Sequence, residues 1–401
     1  MNSKDILIDL YNYDLPREKI AGVPETSRDK SKLLVFNGSV QEVRFTDIDQ
    51  FLPSPAMMFF NNSRVVEARL LFRKATGATI EIFCLEPDEQ YKDIGNALAQ
   101  TEKVYWKCLV GNASGWPHGS FLEKAAGDDT LRARILRKMD DHFIVEFSWK
   151  NINNCFSDIL HKSGAIPLPP YIKRKPDALD ADRYQTVYAK HQGSVAAPTA
   201  GLHFTDELIE RIKKKNIVTA ELTLHVGAGT FKPVKSDTIG EHLMHAETIA
   251  VHLSVINDLL KNQQPVIAVG TTSIRTLESL YWLGVLLHED PDTTILPDVT
   301  QWLPYEPHVD IDVVAAIGAI KKWMLKKNVS LLIARTSLLI VPGYKFRMVS
   351  VLITNFHQPK STLLLLIAAF IGEEWKNVYS YALENDFRFL SYGDSCLLFR
   401  Q

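Results

Sequence analysis

The chain has 401 residues, a formal net charge of −2 and 46% hydrophobic residues. This length predicts two or three domains, and the hydrophobic content can supply a core without disulfide bonds. The near-neutral charge excludes a global attraction to nucleic acid, so any RNA contact must use local Lys and Arg clusters. The four cysteines contain no C-x-x-C pair, which argues against a zinc ribbon.

The compartment is expected to be the cytoplasm. The amino-terminal residues lack the basic region and apolar run of a secretory signal. The longest apolar stretch, residues 363–371, is too short to span a bilayer. We therefore expect free thiols and no membrane partner.

The sequence patterns in the first half of the chain predict mostly strands. Short apolar runs predict strands at 32–36 and 57–61. Partial period-2 patterns, separated by polar or Gly-containing turns, predict four more at 78–85, 103–110, 131–137 and 142–149. Several short strands in series favour a small all-β, barrel-like domain, which we place at 69–150 as an insertion.

After the extended connector 166–170 (IPLPP), strands alternate with helices. Helices are predicted at 205–215, 251–262, 273–283, 313–325 and 362–372, and strands at 218–224, 265–270, 338–341 and 348–354. The predicted fold class is therefore α/β, with a mixed α/β catalytic domain made of 1–68 and 151–401.

Basic clusters that could contact RNA occur at 173–175, 213–215, 321–322 and 326–327. Each can equally be a solvated loop or helix end, where cations are favoured anyway.

Two turns before or after predicted elements are rich in small residues. Segment 193–205 (GSVAAPTAGLHFT) precedes a helix, and segment 225–233 (HVGAGTFKP) follows a strand. Small residues let backbone N–H groups approach a ligand closely, and a helix start favours negative charge. The second segment lacks the full G-x-G-x-x-G fingerprint, and either segment could be an ordinary loop.

Two later turns combine polar and apolar residues. Segment 270–279 (GTTSIRTLES) starts a helix with hydroxyls and carries Arg275 and Glu278 on one predicted face, where a carboxylate could bind. The alternative is a helix cap with a surface ion pair. Segment 354–362 (TNFHQPKST) sets polar groups beside very apolar flanks, a context more often functional than structural.

Two further features carry ionisable groups. Segment 241–247 (EHLMHAE) has two histidines that could share a helical face, but it has no third ligand and no H-E-x-x-H pattern, so no metal site is predicted. Segment 391–394 (SYGD) is a turn that ends in a carboxylate or a plain surface turn.

These motifs, in this order, resemble the S-adenosylmethionine:tRNA ribosyltransferase-isomerases of bacterial queuosine biosynthesis. The resemblance extends over nearly the whole chain. It also includes the segments 13–16 (YDLP), 61–70 (NNSRVVEARL), 167–172 (PLPPYI) and 183–188 (RYQTVY). It implies a mixed α/β main domain with an inserted β-barrel domain.

The resemblance implies that the enzyme uses S-adenosylmethionine as ribosyl donor and a tRNA as acceptor. The acceptor base would be 7-aminomethyl-7-deazaguanine at the wobble position, and the products would be epoxyqueuosine-tRNA, adenine and methionine. Such a reaction needs a base for the acidic C5′ hydrogen, an acid for the departing adenine and a dry pocket, but no metal. A changed acceptor or reaction, or a non-catalytic RNA-binding protein, are the alternatives; a monomer or weak oligomer is expected.

The motifs supply the candidate site residues. The candidate bases or acids are His203, His225, His245, His357 and Asp394. The candidate S-adenosylmethionine contacts are Pro198, Thr199, Gly201, Gly227, Gly229, Thr230, Thr271, Thr272, Arg275, Lys360 and Ser361. The sequence does not choose among the five candidate bases or acids.

Four positions depart from the family pattern: Gly22, Asn62, Val341 and Gln358. Gln is usual at the first, Asp at the second, Tyr at the third and Leu at the fourth. These departures bear on how the acceptor is recognised more than on the fold or the donor.

Overall fold

The computed structural model describes residues 3–74, 76–227 and 234–401. The strands in these residues are β1 (Lys32–Phe36), β2 (Val40–Arg44), β3 (Ala56–Asn61), β4 (Ser63–Val65), β5 (Arg69–Arg73), β6 (Thr79–Pro87), β7 (Lys103–Gly111), β8 (Phe121–Ala126), β9 (Asp129–Lys138), β10 (Phe143–Ser148), β11 (His191–Ser194), β12 (Ile217–Leu224), β13 (Glu247–His252), β14 (Val266–Val269), β15 (Leu331–Thr336), β16 (Val351–Asn355) and β17 (Ser395–Phe399).

The α-helices in the same residues are α1 (Ile94–Leu98), α2 (Phe156–Ser163), α3 (Ala178–Arg183), α4 (Asp206–Lys213), α5 (Leu253–Lys261), α6 (Thr271–Glu289), α7 (Val313–Lys326), α8 (Thr362–Ile371) and α9 (Trp375–Glu384). A short 3-10 helix spans Thr199–His203. No helix in the described ranges is both long and apolar enough to cross a bilayer.

The main sheet has nine strands in the order β15-β13-β12-β3-β14-β16-β17-β1-β2. Its centre is parallel, because β3 pairs in parallel with both β12 and β14, and β14 with β16. The strands β3, β14 and β16 are buried at every position, as continuous apolar runs covered on both faces should be. Ligand-binding turns are expected at the carboxyl ends of such strands.

The second sheet is fully antiparallel, in the order β5-β6-β7-β10-β9-β8. Its end strands β5 and β8 approach each other, so the sheet curls towards a barrel. It encloses its own core, with Trp106 and Phe147 packed against Phe156 of α2. The predicted fold class, mixed α/β with a small barrel-like all-β part, is confirmed. The domain boundaries at 69 and 150 stay a prediction, and this core extends past the second one through α2.

Helix starts follow their capping residues. The side-chain oxygen of Thr205 accepts the N–H of Leu208 at the start of α4, and Ser361 caps α8 through the N–H of Leu364. These bonds satisfy N–H groups that have no partner within the helix. The helices predicted at 205, 313 and 362 begin where these signals place them.

Two predicted elements are wrong in detail. The helix predicted from 251 begins at Leu253, because residues 251 and 252 belong to strand β13. The strand predicted at 338–341 is irregular, and the actual strand is β15, whose residues alternate between exposed and buried. Residues 338–341 are buried but bond to side chains: the Val341 N–H donates to Tyr305 Oη, and the Leu338 carbonyl accepts from Arg275 Nε.

Candidate active site

A cleft of about 860 Å³ separates the barrel-like sheet from the main sheet. The barrel side contributes the end of β6, the start of α1 and one residue of β7. The main-sheet side contributes Gly193, the segments 225–227 and 242–248, Arg275 and the residues around 338–340. A cleft of this size, lined by both polar and apolar groups, can hold a nucleoside-sized ligand.

His225 lies on the wall of this cleft, directly after β12. Gly193 makes room for it: a Cβ on Gly193 would come within 2.7 Å of His225 Nδ1, and the Gly193 φ of +143° favours glycine. His225 Nδ1 is buried and has no hydrogen-bond partner. Burial, with a smaller contribution from His191, lowers the pKa of His225 to about 4, so its imidazole is neutral at pH 7.

Arg275 is buried in the second turn of α6 and lines the same cleft. Its Nη1 donates to Glu247 Oε2 in a buried ion pair, and its Nε donates to the Leu338 carbonyl at 3.2 Å. Its Nη2 is buried without a partner.

The ion pair of Arg275 with Glu278, considered as an alternative for this helix, is absent from the salt bridges of the described residues. The Glu278 carboxylate instead accepts the N–H groups of Arg347, Met348 and Val349 and the hydroxyl of Tyr344. Burial raises the pKa of Glu278.

A smaller cavity of about 80 Å³, here called the annexe, lies at the start of α6. It shares Val226 and Leu363 with the cleft, so the two spaces adjoin. Five candidate donor-binding residues line it: Pro198, Thr199, Thr271, Thr272 and Ser361. Because Val226 belongs to the turn 225–233, the annexe unites residues of all four motif turns, which are distant in sequence.

One hydroxyl in the annexe is unpaired. Thr272 Oγ1 is buried and has no hydrogen-bond partner, whereas Thr199 Oγ1 donates to Asn355 Oδ1 at 2.7 Å. Gly270, with a φ of +88°, precedes α6 and turns its start towards this space. An unpaired buried hydroxyl at a helix start is a place where a ligand can complete the hydrogen bonding.

His357 also lines the annexe, but its Nε2 bonds to Thr354 Oγ1 at 2.9 Å. Its backbone is held on both sides: the carbonyl accepts from Tyr13 Oη and the N–H donates to Tyr379 Oη. Burial lowers the pKa of His357 to about 3.

His203 is on neither the cleft wall nor the annexe wall; it borders a third cavity of about 20 Å³ with Arg28 and Tyr392. Its Nδ1 bonds to Ser31 Oγ at 2.8 Å, and its Nε2 accepts from Asn355 Nδ2 at 3.1 Å. Burial lowers the pKa of His203 to about 4.

Asp394 is buried away from both spaces, with each oxygen bound to a backbone N–H. Oδ1 accepts from Lys32 at 2.8 Å and Oδ2 from Arg388 at 2.7 Å. Burial raises the pKa of Asp394. These contacts tie the start of β1 to the turn before β17.

The five remaining donor-contact candidates differ in where they lie. A Cβ on Gly201 would collide with the hydroxyl of Tyr188, so this glycine permits close packing. Lys360 forms an ion pair with Asp9 and is outside the lining of the cleft and the annexe. Gly227 does line the cleft, whereas Gly229 and Thr230 lie outside the described residues.

His245 lines the cleft and is exposed. The helical face predicted for it and His242 is wrong, because residues 242–246 are irregular between a 3-10 turn and β13. Within the ranges that the structure describes, no group of three or more His, Cys, Asp or Glu side chains could hold a metal ion.

Of the four departures from the family pattern, Gln358 lines the annexe. The other three are absent from the walls of the cleft and the annexe. Asn62 bonds to Glu221 and Thr223, Val341 is in the core, and the exposed Gly22 accepts from Arg174 through its carbonyl.

The sequence missed several residues of this region. Asp93 and Ile94 reach the cleft from the predicted insertion. Asn355, which connects Thr199 to His203, belongs to the polar segment 354–362 that the sequence did single out. Glu247 belongs to segment 241–247, which the sequence singled out for its two histidines and not for this carboxylate. No local pattern could identify Asp93 and Ile94 or the pairing of Glu247, because their partners are distant in sequence.

Comparisons with known proteins identify the family. The family model described as "Queuosine biosynthesis protein" matches residues 8–398. The chain belongs to the queuosine biosynthesis protein family. A Francisella philomiragia protein named S-adenosylmethionine:tRNA ribosyltransferase-isomerase is 37% identical to this family member, covering 98% of this chain and 99% of the relative.

A Francisella tularensis protein of the same name is also 37% identical, with 98% of each chain covered. The crystal structure of an S-adenosylmethionine tRNA ribosyltransferase from Thermotoga maritima is similar to this queuosine biosynthesis protein at 27% identity. The match covers 97% of this chain and 99% of the Thermotoga maritima chain, with a TM-score of 0.46.

Proposed function

We propose that this protein is an S-adenosylmethionine:tRNA ribosyltransferase-isomerase. It transfers the ribosyl group of S-adenosylmethionine to 7-aminomethyl-7-deazaguanine at the wobble position of a tRNA and isomerises it. The products are epoxyqueuosine-tRNA, adenine and methionine. The observation that carries this proposal is the 37% identity, over 98% of the chain, to proteins with that name.

The cleft and the annexe support the proposal as the place of reaction. Their combined walls come from the barrel-like sheet and from the motif turns at 193–205, 270–279 and 354–362. We assign the nucleoside of S-adenosylmethionine to the part of the cleft that adjoins the annexe, where small side chains and hydroxyls meet and the annexe has room for one edge of the ligand. The acceptor base enters through the wider cleft, where both sheets can shield the reaction from water.

His225 is the residue that we assign to proton transfer. It is on the cleft wall, it is neutral at pH 7 and one of its ring nitrogens has no partner within the protein. A neutral imidazole can accept the acidic C5′ proton next to the sulfonium. His245 lines the same cleft and is the second candidate.

In this proposal, His203, His357 and Asp394 do not react with the ligand but hold the residues around the site in place. Each uses one or both polar side-chain atoms for a hydrogen bond inside the protein. Asn355 couples His203 to Thr199 on the annexe wall, which makes His203 a positioning residue.

The macromolecular partner that we propose is tRNA, bound in the cytoplasm by a protein that is a monomer or weak oligomer. With a net charge of −2, binding must rely on local basic groups. The alternative of a changed acceptor gains no support from the cavity walls, because Gln358, a departure from the family pattern, lines the annexe on the donor side.

The experiment is to incubate the protein with S-adenosylmethionine and tRNA that carries the aminomethyl-deazaguanine. We expect release of adenine and a tRNA nucleoside with the mass of epoxyqueuosine. The same tRNA with an unmodified guanine is the control and should release no adenine. Absence of adenine with both tRNAs would contradict the proposal. Adenine without epoxyqueuosine would favour the changed acceptor or reaction.

A further inference from the structure

Arg275 has an unused hydrogen-bond donor in the cleft wall. Arg275 is 6% exposed, and two of its guanidinium nitrogens are occupied by Glu247 and by the Leu338 carbonyl. The third, Nη2, is buried without a partner. On the wall of a binding cleft, a buried donor without an acceptor is a place where a ligand can provide the acceptor.

Three elements fix this guanidinium. Arg275 is on α6, Glu247 is the first residue of β13, and Leu338 follows β15. The register that pairs Glu247 with Thr336 holds the last two elements together, and Ser279 on α6 bonds to Thr336 Oγ1 at 2.7 Å. The free nitrogen is therefore presented in a fixed direction, as selective recognition requires.

The charges of Arg275 and Glu247 on the cleft wall restrict the chemical class of ligand that can bind there. Glu247 is 7% exposed and lines the cleft together with Arg275, so the pair presents one buried positive and one buried negative group. A phosphate would bring at least one further negative charge beside Glu247 and gain little net attraction. A ligand with a carboxylate and an ammonium close together matches both groups.

We infer that the Arg275–Glu247 pair is the receptor for an α-amino acid zwitterion, the methionyl end of S-adenosylmethionine. The carboxylate accepts from Arg275 Nη2, and the ammonium is attracted by the Glu247 carboxylate. This inference rests on the proposed function for the identity of the ligand. The other end of the same molecule then lies where the cleft adjoins the annexe.

The test compares S-adenosylmethionine with decarboxylated S-adenosylmethionine, which keeps the sulfonium, the nucleoside and the ammonium. Isothermal titration of the intact wild-type protein should give roughly 10- to 100-fold tighter binding of the first, because one charge-assisted hydrogen bond is lost in the second. The double variant Arg275→Gln/Glu247→Gln should bind the two ligands with nearly equal affinity. It removes both charges together, so that neither is left buried alone.

Arg335→Gln is the matched control. Arg335 lines the same cleft but is exposed, so its loss removes a nearby positive charge without removing the close contact. The preference for S-adenosylmethionine should remain in this variant. Circular dichroism and thermal unfolding verify that each variant is folded.

The outcomes separate the two proposals. Equal binding of both ligands by the wild-type protein would overturn the zwitterion receptor and leave the proposed function intact, and this result needs no variant. A preference that persists in a folded double variant would overturn it too. Failure of the wild-type protein to bind either ligand would overturn the proposed function and this inference with it.

Discussion

At the scale of single residues, hydrogen-bond partners distinguish the polar groups that support the site from those that face it. His203 and Asp394 are buried, and both polar side-chain atoms of each bond within the protein. His225, Thr272 and Arg275 each retain one buried polar atom without a partner, and each borders the cleft or the annexe. The second group is the one that a ligand can satisfy.

This distinction predicts different effects for two histidines. His225→Gln should lower kcat by roughly 100-fold or more, because it removes the proton acceptor, while stability changes little. His203→Gln should destabilise the fold by about 1–3 kcal/mol, because Ser31 and Asn355 lose a buried partner.

Initial rates of adenine release and urea unfolding curves measure the two effects. Normal turnover by His225→Gln would remove His225 from the chemistry and leave His245 as the other candidate base or acid on the cleft wall.

At the scale of elements, α6 organises both the site and the core behind it. Its first turns carry Thr271 and Thr272 to the annexe and Arg275 to the cleft. One turn later, Glu278 binds three consecutive backbone N–H groups of the 347–349 segment. The helix is buried along most of its length, so the residues of its start are held rigidly.

Thr272→Val tests the start of this helix. The substitution removes a hydroxyl that has no partner, so the free energy of unfolding should stay unchanged or rise slightly, while the Kd for S-adenosylmethionine should rise roughly 5- to 10-fold.

Thr276→Val is the control on the same helix. The Thr276 hydroxyl donates to the Thr272 carbonyl and is outside the annexe lining, so ligand affinity should not change. Equal losses of affinity in the two variants would contradict a ligand contact by Thr272.

At the scale of the whole molecule, the described residues form two large sheets, each with its own hydrophobic packing, and a cleft lies between them. The barrel-like sheet has one core, and the main sheet has large clusters on both faces. His203, His225 and His357 border the cavities; the first and the last are buried, and His225 is half-buried. Their pKa values are lowered to about 4, 4 and 3.

These pKa values predict a loss of stability in acid. The unfolded chain binds protons near the ordinary histidine pKa of about 6.5, whereas the folded chain resists protonation until a pH near 4. The stabilisation is thus complete above pH 6.5 and is lost as the pH falls towards 4. At pH 5 each histidine should cost on the order of 1 to 2 kcal/mol.

Thermal unfolding at pH 7 and pH 5 measures this loss, and His203→Gln should reduce the difference between the two pH values. If His203→Gln shows the same difference in stability between pH 7 and pH 5 as the wild-type protein, protonation of His203 does not contribute to the loss of stability in acid.

Much of the fold was accessible from local patterns. Apolar runs predicted the buried strands β3, β14 and β16, and alternation predicted most of the barrel-like sheet. The prediction failed at 338–341, where side-chain hydrogen bonds replace strand pairing and leave an apolar run without a sheet partner. Hydrophobicity reports burial, but the identity of the hydrogen-bond partner depends on distant residues.

By itself, the sequence determined the fold class, the family and the turns that are the candidates for the site, because these depend on local periodicity and on motif order. Only the tertiary structure separated His225 on the cleft wall from His203 behind Asn355, and joined Arg275 to Glu247 rather than to Glu278. The reason is geometric: strand register and helix rotation decide which side chains meet, and a partner at that distance in sequence leaves no local signal.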